Sequence, residues 1–242
     1  MKLLVSVLDA GEARAAAAAG ADIVDVKNPA EGSLGAPSPA AIAGVRAAIP
    51  AELPVSAAIG DMPDLPGTAA LAALGAARSG ATFVKVGLWG VSTEDDAVAL
   101  LRTVCDGVAD VPGALVVAAA YADARRTAQR PLAPELLPRV ARAAGVGVCL
   151  LDTAIKDGRG LLDWLPPDEL TSLVAGAHDT GLQVALAGAL RVEDLPLVRA
   201  TGADIVGVRS AACGDGRRSG SLEAARVSAL RAACATPPRA SP

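Results

Sequence analysis

The stretch Ala18-Ala19-Gly20-Ala21-Asp22-Ile23-Val24-Asp25-Val26 recurs near the other end of the chain as Ala200-Thr201-Gly202-Ala203-Asp204-Ile205-Val206-Gly207-Val208. In each copy an alanine-containing run ends on glycine, the residue that most easily takes the left-handed conformation closing a helix, and an apolar β-branched run follows. Looser versions stand at Ser79-Gly80-Ala81-Thr82-Phe83-Val84-Lys85-Val86 and Ala144-Gly145-Val146-Gly147-Val148. A unit of helix, glycine and strand is therefore repeated along the chain.

Working outward, Val-rich runs predict strands at residues 3–8, 22–27, 54–59, 83–87, 115–120, 147–152, 183–187 and 204–209, separated by Ala/Leu-rich segments of helical period. Leu137, Val140, Ala141 and Ala144 keep that period before Gly145, and Leu222, Ala225, Ala229 and Ala233 keep it near the end. The strands are apolar throughout instead of alternating, which implies burial on both faces, as in a parallel sheet under helices. Eight such units in 242 residues predict a single-domain (β/α)8 TIM barrel over residues 1–235. A doubly wound open sheet uses the same alternation and is the alternative. Residues 236–242, ending Ala240-Ser241-Pro242, read as a disordered C-terminal tail.

The composition, 52% hydrophobic and 20% charged, supplies a large core. Phe83, Trp89, Tyr121 and Trp164 are the complete aromatic set, so Ala, Val and Leu must fill it. A net charge of −4 and the lack of an aromatic and basic surface pattern argue against nucleic acid as a partner. Apolar runs such as residues 114–121 fall short of the roughly 18–20 residues a membrane span needs. The opening run Met1-Lys2-Leu3-Leu4-Val5-Ser6-Val7-Leu8 is short and meets Asp9 and Glu12 at once, so it reads as the first strand of a cytoplasmic protein and not as a secretory signal. Cys105, Cys149, Cys213 and Cys234 lack the close spacing of a zinc site and read as reduced, mostly buried thiols. His178, the sole histidine, reads as a surface residue near a helix end, which removes His-based triads and His-rich metal sites.

Positive charge in this chain is spelled as arginine, 18 residues against four lysines. Lys27, Lys85 and Lys156 each close an apolar run. A lysine retained in such a setting points to amine chemistry, because burial or a neighbouring ammonium yields a neutral amine near physiological pH while a guanidinium stays charged. In a barrel these residues gather at the C-terminal ends of the strands, where active sites lie. Strand 2 brings Asp25 and Lys27, which share a face at alternate positions. Strand 3 leads to Asp61, strand 4 carries Lys85, strand 5 leads to Tyr121 and Asp123, and strand 6 carries Asp152 with Lys156 shortly after. One of the clustered lysines would attack an aldehyde as a free amine, and Asp25 and Asp152 would keep the other protonated and move protons. Lys156, in Lys156-Asp157-Gly158-Arg159-Gly160, reads almost equally as a solvated loop lysine.

The stretches after strands 7 and 8 are glycine-rich where barrels often hold phosphate. Backbone amides around Gly188 and Gly207, with Arg209 and Ser210, would bind a phosphate dianion. The irregular loop 28–35, with Asn28 and Ser33, reads as a lid or a second phosphate site, or simply as a connection needing glycine.

Taken together, Asp25-Val26-Lys27-Asn28-Pro29-Ala30-Glu31-Gly32-Ser33-Leu34-Gly35-Ala36, Lys85-Val86-Gly87-Leu88, Tyr121-Ala122-Asp123-Ala124, Leu151-Asp152-Thr153-Ala154-Ile155-Lys156-Asp157-Gly158, Ala185-Leu186-Ala187-Gly188 and Asp204-Ile205-Val206-Gly207-Val208-Arg209 resemble one family. It is the (5-formylfuran-3-yl)methyl phosphate synthase family, also called 4-(hydroxymethyl)-2-furancarboxaldehyde-phosphate synthase, of methanofuran-type biosynthesis. The resemblance implies a carbon-oxygen lyase condensing two molecules of glyceraldehyde 3-phosphate into a furan aldehyde phosphate, with loss of one phosphate and two waters. It implies no organic cofactor. It also implies that Lys27 is the Schiff-base residue and Lys85 the general base, with Asp25, Asp152 and Lys156 around them. A phosphorylated triose is then the expected small-molecule partner, and a homo-oligomer is compatible with this reading. A class I aldolase acting on another phosphosugar and a non-catalytic phosphate-binding barrel are the alternatives.

Overall fold

In the computed structural model, which describes residues 1–235, the two copies of the repeat lie on either side of one strand. β1 (Lys2–Val7) pairs in parallel with β2 (Ile23–Val26) along one edge and with β8 (Ile205–Val208) along the other. β3 (Val55–Pro63), β4 (Phe83–Gly90), β5 (Leu115–Tyr121), β6 (Val148–Asp152) and β7 (Gln183–Leu186) complete a closed parallel barrel in sequence order. A helix follows each strand: α1 (Ala10–Ala18), α2 (Pro39–Ala48), α3 (Pro66–Arg78), α4 (Glu94–Val108), α5 (Leu137–Ala144), α6 (Pro167–His178), α7 (Leu195–Ala200) and α8 (Ala224–Ala235). The chain is thus a (β/α)8 barrel and not the open sheet. The segment 236–242, expected to be a tail, lies outside the described residues.

The repeat has a structural reason. Asp22 Oδ2 accepts a hydrogen bond from Leu3 N (2.8 Å), and Asp204 Oδ2 accepts one from Val184 N (2.8 Å). Each aspartate of the motif therefore satisfies an amide at the start of the preceding strand, at the end of the barrel opposite the lysines. Asp204 also holds His178 Nε2 at 2.9 Å, which places the histidine at the C-terminus of α6.

The continuous apolar strands bury both faces, and the apolar residues divide into two clusters. One lies between the strands and the helices and includes Leu3, Val24, Ile42, Leu100, Val104, Leu170 and Val206. The other fills the barrel with Ile23, Val117, Ala119, Tyr121, Val148, Leu150, Ala185 and Ile205. Ala185 on β7 and Ala187 just after it line the open upper lumen. Helix starts are capped where the sequence offers an oxygen: Asp9 accepts from Glu12 N (2.9 Å), Ser38 from Ala41 N and Thr93 from Asp96 N (both 3.2 Å), each contributing about 1 kcal/mol.

Six predicted strands agree with the observed ones to within one residue at either end, but β3 and β4 run on to Pro63 and Gly90, past the expected ends at Ile59 and Gly87. Pairing continues through two register shifts, after Ala58 and after Asp61, because Gly60 takes a φ of +99° and Gly90 lets the strands approach where a Cβ would collide with Met62 O. Among the described residues no helix is long and apolar enough to cross a membrane.

Candidate active site

Alternation along the strands sends Ser6, Asp25, Lys27, Lys85 and Asp152 toward the lumen. Asp25 is fully buried and lies level with Ser6 on β1 and Ser56 on β3. Its Oδ1 meets Lys85 Nζ at 2.5 Å, and its Oδ2 accepts the Ser6 hydroxyl at 2.8 Å. Lys27, just past the end of β2, stands above this pair, with Nζ 3.9 Å from Asp25 Oδ2 and 3.6 Å from Asp152 Oδ2. Asp152 closes β6 and holds Lys156 Nζ at 3.1 Å, while that ammonium also donates to Thr153 O (2.6 Å) and Thr153 Oγ1 (3.1 Å). The structure therefore brings all five lysine and aspartate candidates into one chain of alternating charge, Lys85-Asp25-Lys27-Asp152-Lys156. Lys156 is folded back onto this chain instead of extending into solvent.

Burial, opposed by Asp25 and aided by the nearby Lys27 charge, pulls the Lys85 amine down to about 8. Burial pushes Asp152 up, but Lys156, Lys27 and the Thr153 amide outweigh it and hold that carboxyl well below the usual range. One amine is thus poised to exchange protons near neutrality, and one carboxylate is permanently charged.

Asp123, noted at the rim but given no role by the sequence, is buried and accepts hydrogen bonds from Ala154 N (2.9 Å) and Ile155 N (2.8 Å). It fixes the loop that returns Lys156 to Asp152. Ser33 is buried too and donates to Thr153 O at 2.8 Å, tying the loop after β2 to the same segment. Neither link is legible from sequence, since the partners stand far apart in the chain.

Above the charged chain opens a cleft of about 730 Å³, lined by Lys27, Lys85, Asp152, Lys156, Ser33, Gly188, Gly207, Arg209 and Ser210 among others, a size typical of small-molecule sites. Gly188 has a φ of +113°, and a Cβ there would press on Thr153 Cγ2 at 3.1 Å. Arg209 is engaged by protein on every donor: it meets Glu12 Oε2 at 2.6 Å and Oε1 at 3.2 Å, and donates to Ser6 O, Arg218 O and Gly220 O. Glu12 in turn accepts from Leu8 N and Leu222 N, so this ion pair braces the loop after β8. Asn28 spends its side chain on its own turn, accepting from Ala30 N and donating to Glu31 Oε1. Arg218, which sequence reasoning missed, lines the cleft and donates to Gly32 O at 2.8 Å, joining the β8 loop to the β2 loop. Among the described residues no group of three or more His, Cys, Asp or Glu is arranged to hold a metal ion.

Fold and site together define a (β/α)8-barrel enzyme whose centre is an amine-carboxylate chain at the C-terminal mouth. Residues 3–231 match the family model described as 4-HFC-P synthase. The chain is 48% identical over 236 residues to the (5-formylfuran-3-yl)methyl phosphate synthase of Methanocaldococcus jannaschii, covering 97% of this chain and 100% of that one. It is likewise 48% identical over 235 residues to the enzyme of that name from Methanosarcina mazei, covering 97% and 99%. The protein belongs to the (5-formylfuran-3-yl)methyl phosphate synthase family. Among solved structures, 3-hexulose-6-phosphate synthase from Salmonella typhimurium shares the fold, with a TM-score of 0.66 at 18% identity over 97% of this chain and 100% of that one.

Proposed function

We propose that the protein condenses two molecules of glyceraldehyde 3-phosphate into (5-formylfuran-3-yl)methyl phosphate, releasing one phosphate and two waters, through an imine on Lys27, as a carbon-oxygen lyase of methanofuran-type biosynthesis. The observation that carries the reading is the placement of Lys27 in the cleft directly above the buried Lys85-Asp25 pair. An imine at Lys27 acidifies the carbon beside the former carbonyl. Lys85, with its amine drawn down to about 8, accepts the proton there, and phosphate leaves from the next carbon. The carbon that lost phosphate, now an enol terminus, adds to the central carbon of the second triose after that triose has isomerised to its ketone form, and closure of the terminal hydroxyl on the remaining ketone with loss of two waters yields the aromatic ring. Backbone amides around Gly188 and Gly207, with Ser210 and Arg218, are proposed to hold the phosphates, while Ser33 fixes the loop after β2 beside them. Arg209 acts behind them by fixing the loop.

Purified protein given glyceraldehyde 3-phosphate alone should produce furan absorbance and inorganic phosphate in equal amounts. A requirement for a second, different aldehyde would replace this reading with an aldolase. Only the neutral amine of Lys85 accepts a proton, and its fraction grows as pH rises toward and past 8. Exchange of the substrate hydrogen beside the aldehyde with solvent deuterium should therefore rise about tenfold per pH unit below 8 and level off above it. Mass spectrometry of recovered triose between pH 6 and 9 measures this, and a flat profile contradicts Lys85 as the base.

A further inference from the structure

Asp61 touches none of the lysines, yet separate features of the fold bring it to the mouth of the barrel. The register between β3 and β4 shifts on both sides of it, and Gly60, at φ +99°, turns the chain just before it. A bulge of this kind re-aims the following side chain. On β4, Gly87 leaves the necessary room, because a Cβ there would collide with Asp61 Oδ1 and stand 3.0 Å from the Tyr121 hydroxyl. On β5, Tyr121 is fully buried, wedged edge-on against Trp89 with ring centroids 5.4 Å apart, and donates its hydroxyl to Asp61 Oδ1. Among the described residues nothing hydrogen-bonds Asp61 Oδ2.

The charged groups facing Asp61 are those of the active site: Asp152 and Lys156 from β6 and its loop, and Lys27 from the end of β2. Burial raises the Asp61 carboxyl above its ordinary range and the Asp152 charge adds to this, while the Tyr121 hydrogen bond and the two lysines oppose it. A carboxyl with one oxygen held by Tyr121 and the other without a hydrogen bond, within electrostatic reach of the lysine proposed to carry the substrate, suits a proton transfer that neither Asp25 nor Asp152 is free to make, since both are locked in ion pairs.

We propose that Asp61 is the proton donor to the hydroxyl that departs when the ring dehydrates, with Tyr121 orienting it. The step rests on the furan-forming reading above. The carbon-oxygen bond breaks as the Asp61 proton moves to the departing hydroxyl, which leaves as water. The proton on the adjacent carbon passes to the neutral Lys85 amine, and its bonding pair becomes the new double bond. Solvent then returns a proton from Lys85 to Asp61, so each passage through this step loses one of the two waters and consumes nothing else.

The test compares Asp61→Asn and Tyr121→Phe with the wild type, using glyceraldehyde 3-phosphate and two readouts, borohydride trapping on Lys27 and furan formation. Asp61→Asn should trap within about threefold of the wild-type rate yet form furan at least about 100-fold more slowly, with a condensed, non-aromatic adduct accumulating. Tyr121→Phe removes a bond that favours the ionised carboxylate, so the limb of the furan pH-rate profile set by Asp61 should move to higher pH, and in Asp61→Asn that limb should vanish. Furan formation by Asp61→Asn at near the wild-type rate would overturn the proposal, as would equal loss of trapping and furan formation, which marks a structural role alone. Absence of trapping in the wild type removes the Lys27 reading and the proposal with it, whereas normal wild-type trapping with an active Asp61→Asn variant removes the proposal alone.

Discussion

Lys27→Arg should form furan on the order of 10⁴-fold more slowly than the wild type, or not at all, while melting at nearly the same temperature. The substitution retains a cation between Asp25 and Asp152, which stand 3.9 and 3.6 Å from the lysine nitrogen, so the electrostatic frame of the mouth survives. What disappears is the free amine. A guanidinium keeps its proton throughout the accessible pH range and cannot form an imine. The role of Lys27 in holding the fold is small in this account, because its side chain reaches the cleft while Lys85 and Asp25 form the buried pair beneath it. Rates of furan and phosphate release, measured beside a thermal melt, separate the two roles. A variant that melts normally and turns over at more than about a tenth of the wild-type rate contradicts the imine.

Asp25→Asn should affect both stability and turnover. Among the described residues Asp25 is the one carboxylate in contact with the buried Lys85, and removing one member of a buried pair costs about 3–5 kcal/mol because the other charge is stranded. For a chain of this size that corresponds to a loss of about 6–20 °C in melting temperature at acidic pH. The sign with pH follows from the proton balance. Without Asp25 the folded-state pKa of Lys85 drops further below 8, so the unfolded chain binds more protons than the folded one and stability rises with pH. The deficit against the wild type should therefore be largest at acidic pH, where Lys85 is charged in both folded proteins, shrink as pH rises toward 8, and stay at its smallest above pH 8, where both hold a neutral amine. Turnover should fall by about 10²–10⁴, the usual contribution of positioned acid-base groups. A deficit that grows as pH rises would show that Asp25 and Lys85 are not coupled as described.

The barrel was legible because its signals are local. A glycine after each alanine-rich run and an unbroken apolar strand are visible within a dozen residues, and the shared start of the second and eighth units reflects one job, the aspartate that satisfies an amide on the preceding strand. The charged chain was legible for a related reason, since lysine was rare and stood at strand ends that the topology brings to a common mouth. Whatever depends on a partner distant in sequence was not. The Arg209 guanidinium looked free for phosphate, yet Glu12, at the start of α1, claims it from the other end of the chain. Ser6 gave no sign that it would hold Asp25, and Arg218 none that it would cross to Gly32. Asp61 was placed at the mouth but given no role, because a bulge breaks the alternation from which orientation is read: Gly60 suggests that the strand has ended, whereas the strand continues through Asp61.

The central claim is that Lys27 carries the substrate as an imine, and peptide mapping after borohydride reduction tests it most directly. Wild-type protein incubated with glyceraldehyde 3-phosphate, reduced and digested, should carry one triose-derived adduct, on the peptide containing Lys27. An adduct on Lys85 or Lys156 instead, or no adduct in a preparation that is releasing furan and phosphate, would contradict the account.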